Sequence, residues 1–314
     1  ILPEGAGRPQ KEVLITAGSF ADLTALRRTV RARNGKQFTP DVLERPHVDN
    51  GALLIVGGGG LTGRMVDRFI KHAGGRQALI AILPISSTRP GSGESMKRYF
   101  ASRGARNTVV LEQRTRDEVE SEEFLSVINK AGGVWFGGGR QWHFMDAYEG
   151  TKAQAAIHEV LERGGIMGGS SAGASIQAEY MVRGNPLGNT DMMADGYERG
   201  LGFLPGAAVD QHFTQRGRLK DLEGVMRRFP QLFGIGIDET TAILVEGTRA
   251  EVMGMNVVSF YESDNENDSG EVTLKKTVLR GGTIFDFSSR RELTGPPPLP
   301  DRKPAPRRPR QSAK

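Results

Sequence analysis

The run Ala52-Leu53-Leu54-Ile55-Val56-Gly57-Gly58-Gly59-Gly60 decides the architecture. Consecutive apolar residues, with no polar residue at alternate positions, describe a strand covered on both faces. Glycines end it, and an amphipathic stretch from Leu61 to His72 follows. The same unit recurs downstream. Ala78–Leu83 reads as a second buried strand, Ser95–Arg103 as a helix, Thr108–Leu111 as a third strand and Glu118–Lys130 as a further helix. Gly133–Phe136 is the next strand, then a helix over Thr151–Arg163 with Gly164-Gly165 at its C-terminal end, then a short strand at Ile166–Gly168. Buried strands separated by helices predict a doubly wound, mostly parallel sheet. Ala207–Val209, Gly234–Ile237 and Ala242–Val245 add strands, and Val252–Tyr261 and Val272–Leu279 read as antiparallel edge strands.

Both ends differ from this body. Residues 1–49, with a strand at Glu12–Ala17 and a helix at Phe20–Arg31, read as an appended extension, and 50–288 as the α/β domain. Residues 289–314 form a basic, Pro-rich tail with almost nothing apolar to bury, a composition that predicts disorder. The net charge of +5 belongs to this tail: eight basic residues against two acidic ones from Arg290 onward leave the body near neutral. The basicity is therefore no argument for a nucleic-acid partner. None of the 314 residues is Cys, which excludes disulfides, a thiolate nucleophile and Cys-based zinc sites. No run approaches the roughly 18 apolar residues of a membrane span. The chain starts at Ile1 rather than Met, so it reads as trimmed or processed. The compartment stays open, cytoplasmic or exported, with a lean toward export.

Chemistry concentrates in Gly168-Gly169-Ser170-Ser171-Ala172-Gly173-Ala174. Gly169-x-Ser171-x-Gly173 follows a strand and precedes an apparent helix at Ala174–Tyr180, the context of a sharp turn that exposes a serine hydroxyl. The Ala172 N–H would face a developing oxyanion, aided by the helix N-terminus. The bland alternative is a small-residue turn without catalytic meaning. Of five histidines, His72 and His158 fall in helical patterns, and His47 lies in the extension. His212, in Asp210-Gln211-His212-Phe213 after a strand, is the leading base. No His-x-x-x-His pair exists to suggest a metal. Gly137-Gly138-Gly139, also after a strand, suits a second oxyanion donor. Gly58-x-Gly60-x-x-Gly63 matches a dinucleotide fingerprint, but no acidic residue follows the second strand at Leu83-Pro84-Ile85-Ser86 to hold a ribose. Those glycines read as a tight turn.

Taken in order, Gly169–Ala174, Asp210-Gln211-His212-Phe213-x-Gln215-Arg216-Gly217-Arg218 and Gly236-Ile237-Asp238-Glu239-x-Thr241-Ala242 resemble the cyanophycinase family of serine peptidases, which also holds dipeptidase E. The resemblance spans roughly residues 50–288 and implies a flavodoxin-like, class I glutamine-amidotransferase-like fold with serine in place of cysteine. It implies Ser171 as nucleophile, His212 as base, and Gly139 and Ala172 as oxyanion donors. Gln141, Asp210, Gln211, Arg216 and Arg218 match residues lining the family's substrate pocket. The family places the third triad member downstream of the serine, where Asp191 is the choice ahead of Asp195 and Glu179. The family's Gly-Gly-Asp-Gln loop reads Gly138-Gly139-Arg140-Gln141 here, a charge reversal. A further family arginine after Arg218 is replaced by Asp221.

The expectation is a serine peptidase hydrolysing peptide or isopeptide bonds, with β-aspartyl-arginine or acidic peptides as the implied substrates. Arg216 and Arg218 would bind substrate carboxylates. No cofactor or metal is required, and a homodimer is a possible assembly. The competing readings are a catalytically silent binding protein of the same fold, and an esterase or amidohydrolase built on the same turn.

Overall fold

The computed structural model describes Phe38, residues 45–264 and residues 272–293. The expected strand at Glu12–Ala17, the helix at Phe20–Arg31 and the tail beyond 293 lie outside the described residues. Five parallel strands are the heart of the fold: β1 (Val48–Val56), β2 (Leu79–Leu83), β3 (Asn107–Val110), β4 (Gly133–Phe136) and β5 (Ile166–Ser170). Their side chains point alternately to opposite faces. Leu53 and Ile55 enter one core, and Ala52, Leu54 and Val56 the other, which is why the run has no polar gaps.

Helices cover both faces. α1 (Gly63–His72) is started by Thr62, whose hydroxyl accepts from Met65 N, and buries Met65, Val66, Phe69 and Ile70. α2 (Ser92–Ser102) adds Phe100 to the same core, where Phe69, Phe100 and Trp135 meet edge to face. Burying each such ring contributes about 1.5–3 kcal/mol. The expected helix Glu118–Lys130 is two, α3 (Arg116–Val119) and α4 (Glu122–Ile128). Thr115 and Ser121 each cap a new start, Ser121 accepting from Phe124 N, so the chain turns between them. α5 (Trp142–Tyr148), which local patterning does not announce, precedes α6 (Lys152–Glu162).

Past β5 the expected helix Ala174–Tyr180 is only one turn, α7 (Ala172–Ser175), and Ala178–Tyr180 is strand β6. Pairing with β7 (Leu204–Gln211) overrides local helix preference there. The remaining elements are α8 (Leu219–Arg228), also not anticipated, β8 (Phe233–Ile237), β9 (Thr241–Gly247), β10 (Arg249–Gly254), β11 (Val257–Asp264), β12 (Thr273–Arg280), β13 (Ile284–Asp286) and β14 (Arg291–Leu293). The expected single strand Val252–Tyr261 is thus divided. Gly254, at φ 108°, packs so that a Cβ would lie 2.2 Å from Thr240 O, and the chain crosses there from one sheet to another.

Among the described residues the strands form two sheets. The larger runs β14-β13-β10-β9-β1-β5-β4-β2-β3, with β9 antiparallel to β1. A second sheet, which the sequence reading did not separate, runs β12-β11-β8-β7-β6. The fold is mixed α/β with parallel and antiparallel pairing. The large sheet starts at Val48 and extends through β14, so its last strand lies past the expected boundary at 288.

Candidate active site

The parallel strands end level. Val56 pairs with Ser170 and Phe136 with Gly169, so the loops after β1, β4 and β5 leave the sheet side by side. Ser171 follows β5 at φ 58° and ψ −112°, a strained turn for a side chain with Cβ. Its flanking glycines are steric requirements. A Cβ at Gly169 would lie 2.2 Å from Gly173 O, and one at Gly173 2.3 Å from Phe136 O.

His212 follows β7 in the second sheet and carries φ 51°. Its Nε2 lies 2.9 Å from Ser171 Oγ, and its Nδ1 lies 2.6 Å from Glu239 Oε1. Register explains the second contact: β7 and β8 are parallel with Gln211 opposite Ile237, so His212 and Glu239 emerge as neighbours. Burial holds the His212 pKa below its ordinary value of 6.5, opposed by the Glu239 hydrogen bond and reinforced by the charges of Arg216 and Arg218.

Asp191 does not occupy this position. Its carboxylate accepts from Asn185 Nδ2 at 2.9 Å, while both His212 nitrogens are taken by Ser171 and Glu239. Glu239 was within the quoted Gly236–Ala242 motif. The signal that identifies it is its place just after a strand parallel to the one carrying the histidine. Glu179, another expected alternative, accepts from Gly206 N.

The N–H groups of Gly139 and Ala172 have no acceptor among the described residues. Ala172 directly follows the serine, and at Gly138, the residue before Gly139, a Cβ would lie 3.4 Å from Ser171 Cβ. The glycines after β1 have a role that the fingerprint reading missed. Gly57 O accepts from His212 N at 2.7 Å, and Gly58 O accepts from Thr240 N at 2.8 Å. Gly58 lies against the imidazole and Gly59, at φ 76°, against the Glu239 side chain.

The expected substrate-pocket residues divide. Asp210 is fully buried and accepts from Arg183 Nη2 at 3.0 Å and from Arg218 Nη1 at 3.1 Å. Arg218 also donates to Gln211 O and Gln211 Oε1, and it is 4% exposed. These three residues therefore brace the chain leading into His212, and the expectation that Arg218 is open to a substrate carboxylate is corrected. Arg183, which sequence reasoning missed, bridges Asp210 to Asp221. Gln141 is buried and donates to Val182 O. Arg216 alone of the five is exposed.

Among the described residues no cluster of three or more His, Cys, Asp or Glu could hold a metal ion, and no helix is long and apolar enough to cross a membrane.

A protein with this serine turn on this fold falls into a definite class: it is a hydrolase, a serine-type peptidase. Residues 53–253 match Peptidase family S51, and the chain belongs to that family. It is 31% identical over 202 residues to a cyanophycinase of Geminocystis herdmanii, covering 63% of this chain and 74% of that one. A cyanophycinase of Synechococcus elongatus is 32% identical over 221 residues, 68% of either chain. The crystal structure of a peptidase from an acI-B1 Actinobacterium shares the fold, with a TM-score of 0.59 at 19% identity, over 77% of this chain and 98% of that one.

Proposed function

We propose that the chain hydrolyses peptide or isopeptide bonds through Ser171, His212 and Glu239. The observation that carries this reading is the unbroken line of contacts from Glu239 Oε1 to His212 Nδ1 at 2.6 Å and from His212 Nε2 to Ser171 Oγ at 2.9 Å. His212 Nε2 takes the Ser171 proton as Oγ bonds to the carbonyl carbon, and the N–H groups of Gly139 and Ala172 receive the oxyanion. His212 then gives the proton to the leaving nitrogen as the C–N bond breaks. A water, deprotonated by His212, attacks the acyl-serine ester and frees Ser171. Glu239 fixes the tautomer and stabilises the imidazolium. An assembled line of this kind favours turnover over a silent binding protein.

Acidic peptides, including β-aspartyl units like those the cyanophycinase resemblance implies, are the proposed substrates. Exposed Arg216, whose charge reaches His212, supports a preference for anionic groups. The sheet supports a flavodoxin-like reading in one respect. Its parallel strands run β3-β2-β4-β5-β1, the flavodoxin order with the last strand supplied first by the chain.

The test is mass spectrometry of products from cyanophycin and a β-aspartyl dipeptide library, with wild type beside Ser171→Ala, and labelling of each by a fluorophosphonate. Wild type should label at Ser171 and cleave members of the set, and the variant should do neither. Turnover retained by Ser171→Ala would remove the serine mechanism.

A further inference from the structure

Arg140 stands one residue beyond Gly139 on the loop beside the serine, its backbone N–H donating to Ser86 O at 2.9 Å. Its side chain reaches the segment after β6, where Nη2 donates to Asn185 O at 2.6 Å and to Gly188 O at 2.7 Å. Nε is shut off from solvent and has no acceptor. Nη1 donates to none of the described residues and, unlike Nε, is not fully shut off from solvent.

The other deeply placed arginines around the site are neutralised. Arg183 and Arg218 share the Asp210 carboxylate, and Arg183 also meets Asp221. Among the described residues Arg140 meets only neutral carbonyls. Burial alone acts on its pKa, pulling it down, with no carboxylate opposing. Placing a cation in a half-buried site without a counter-charge is costly. Fastening two loop carbonyls needs donors and no charge at all. A guanidinium has five N–H donors in a planar fork suited to carboxylates, and most of that capacity is unused here.

We propose that Arg140 recognises a carboxylate of the substrate, bound on the side of the loop that carries Gly139. This rests on the serine-peptidase reading, because the amide of Gly139 is the point where the scissile carbonyl docks. Successive Cα atoms are about 3.8 Å apart, so a substrate docked on the Gly139 amide lies beside the residue that carries the guanidinium. The carboxylate comes either from an acidic side chain or from a peptide C-terminus, and one set of ligands separates the two.

The experiment is calorimetric binding of matched dipeptides to the Ser171→Ala protein, in which no turnover intrudes. One arm compares Asp with Asn, and the other compares a free C-terminus with its amide. The same measurements follow in Ser171→Ala combined with Arg140→Gln, which keeps a donor for the loop carbonyls, and with Arg140→Lys, which keeps the charge. The acid in one arm should bind about ten- to a hundredfold tighter than its neutral partner, as for other charge-assisted bonds. That ratio should collapse toward one with Gln and recover in part with Lys. Equal weakening of both partners would show that Arg140 only fastens the loop. An unchanged ratio with Gln, or no acid preference in either arm, would equally overturn the proposal. Should Gln unfold the protein, as melting temperature would show, the Lys ratio still decides. Fluorophosphonate labelling of wild type reports on Ser171 independently, so a failed serine mechanism and a failed Arg140 assignment give different results.

Discussion

Gly58 lies directly beneath the imidazole of His212: a Cβ built on it would sit 2.2 Å from His212 Cε1 and 2.6 Å from Nε2. No methyl group fits there, and the φ of 105° is a region that side chains rarely adopt. The absence of a side chain at Gly58 thus sets the height of the ring above the sheet. Gly60, two residues on, has open space where its Cβ would be.

Gly58→Ala should therefore displace the ring and lower kcat by on the order of a hundredfold, the penalty for a reacting group misplaced by about 1 Å. Gly60→Ala should stay within a few-fold of wild type. Steady-state kinetics with a melting curve for each variant checks this, and equal effects at the two positions would show that the run serves only as a turn.

Glu239→Gln retains the shape but presents an amide to His212 Nδ1, favouring the wrong tautomer. A loss of roughly 10²- to 10⁴-fold in kcat/KM should follow. Asp191→Asn should remain within a few-fold, since that carboxylate bonds Asn185 and not the imidazole. Reversed sensitivities would return the orienting role to Asp191.

The pH profile has a definite sign. As the proposed base, His212 must be neutral to accept the serine proton, and burial lowers its pKa from 6.5, so the acidic limb of kcat/KM should fall below that pH. Arg216→Ala removes a charge that lowers the pKa, and should move the limb to higher pH. Glu239→Gln removes the hydrogen bond that raises it, and should move the limb of the residual activity lower. A wild-type limb above 6.5, or shifts of opposite sign, would separate the limb from His212.

Asp210 carries two arginines in a fully buried site. Asp210→Ala leaves Arg218 without a counter-charge and Arg183 with Asp221 alone, and should cost about 3–5 kcal/mol of stability in urea unfolding. Arg218→Ala should weaken charged and neutral substrates alike, because its donors serve Asp210 and Gln211. A selective loss on acidic substrates would restore Arg218 to direct recognition.

What could be read in advance follows the range of each signal. Ser171 is written locally, as a serine set among residues too small to block a tight turn, and His212 stands in a loop just after a strand. Glu239 is not local. Only the pairing of Gln211 with Ile237 brings it to the imidazole, and an acid in any neighbouring loop would satisfy the same chemistry. The glycines after β1 were legible as a strand end, while their purpose depends on a histidine more than 150 residues later. The second sheet escaped for the same reason. Ala178–Tyr180 has helical neighbours in sequence but a strand partner in space.

The groups of the proposed triad come from different sheets: the serine follows a strand of the large sheet, and the histidine and glutamate follow strands of the small one. A newly made chain whose large sheet has formed, but whose small sheet has not yet docked, carries an ordinary alcohol with nothing to deprotonate it. On the proposed mechanism, hydrolysis therefore requires both sheets to be in place. Its activity would then report on whether the two sheets have come together.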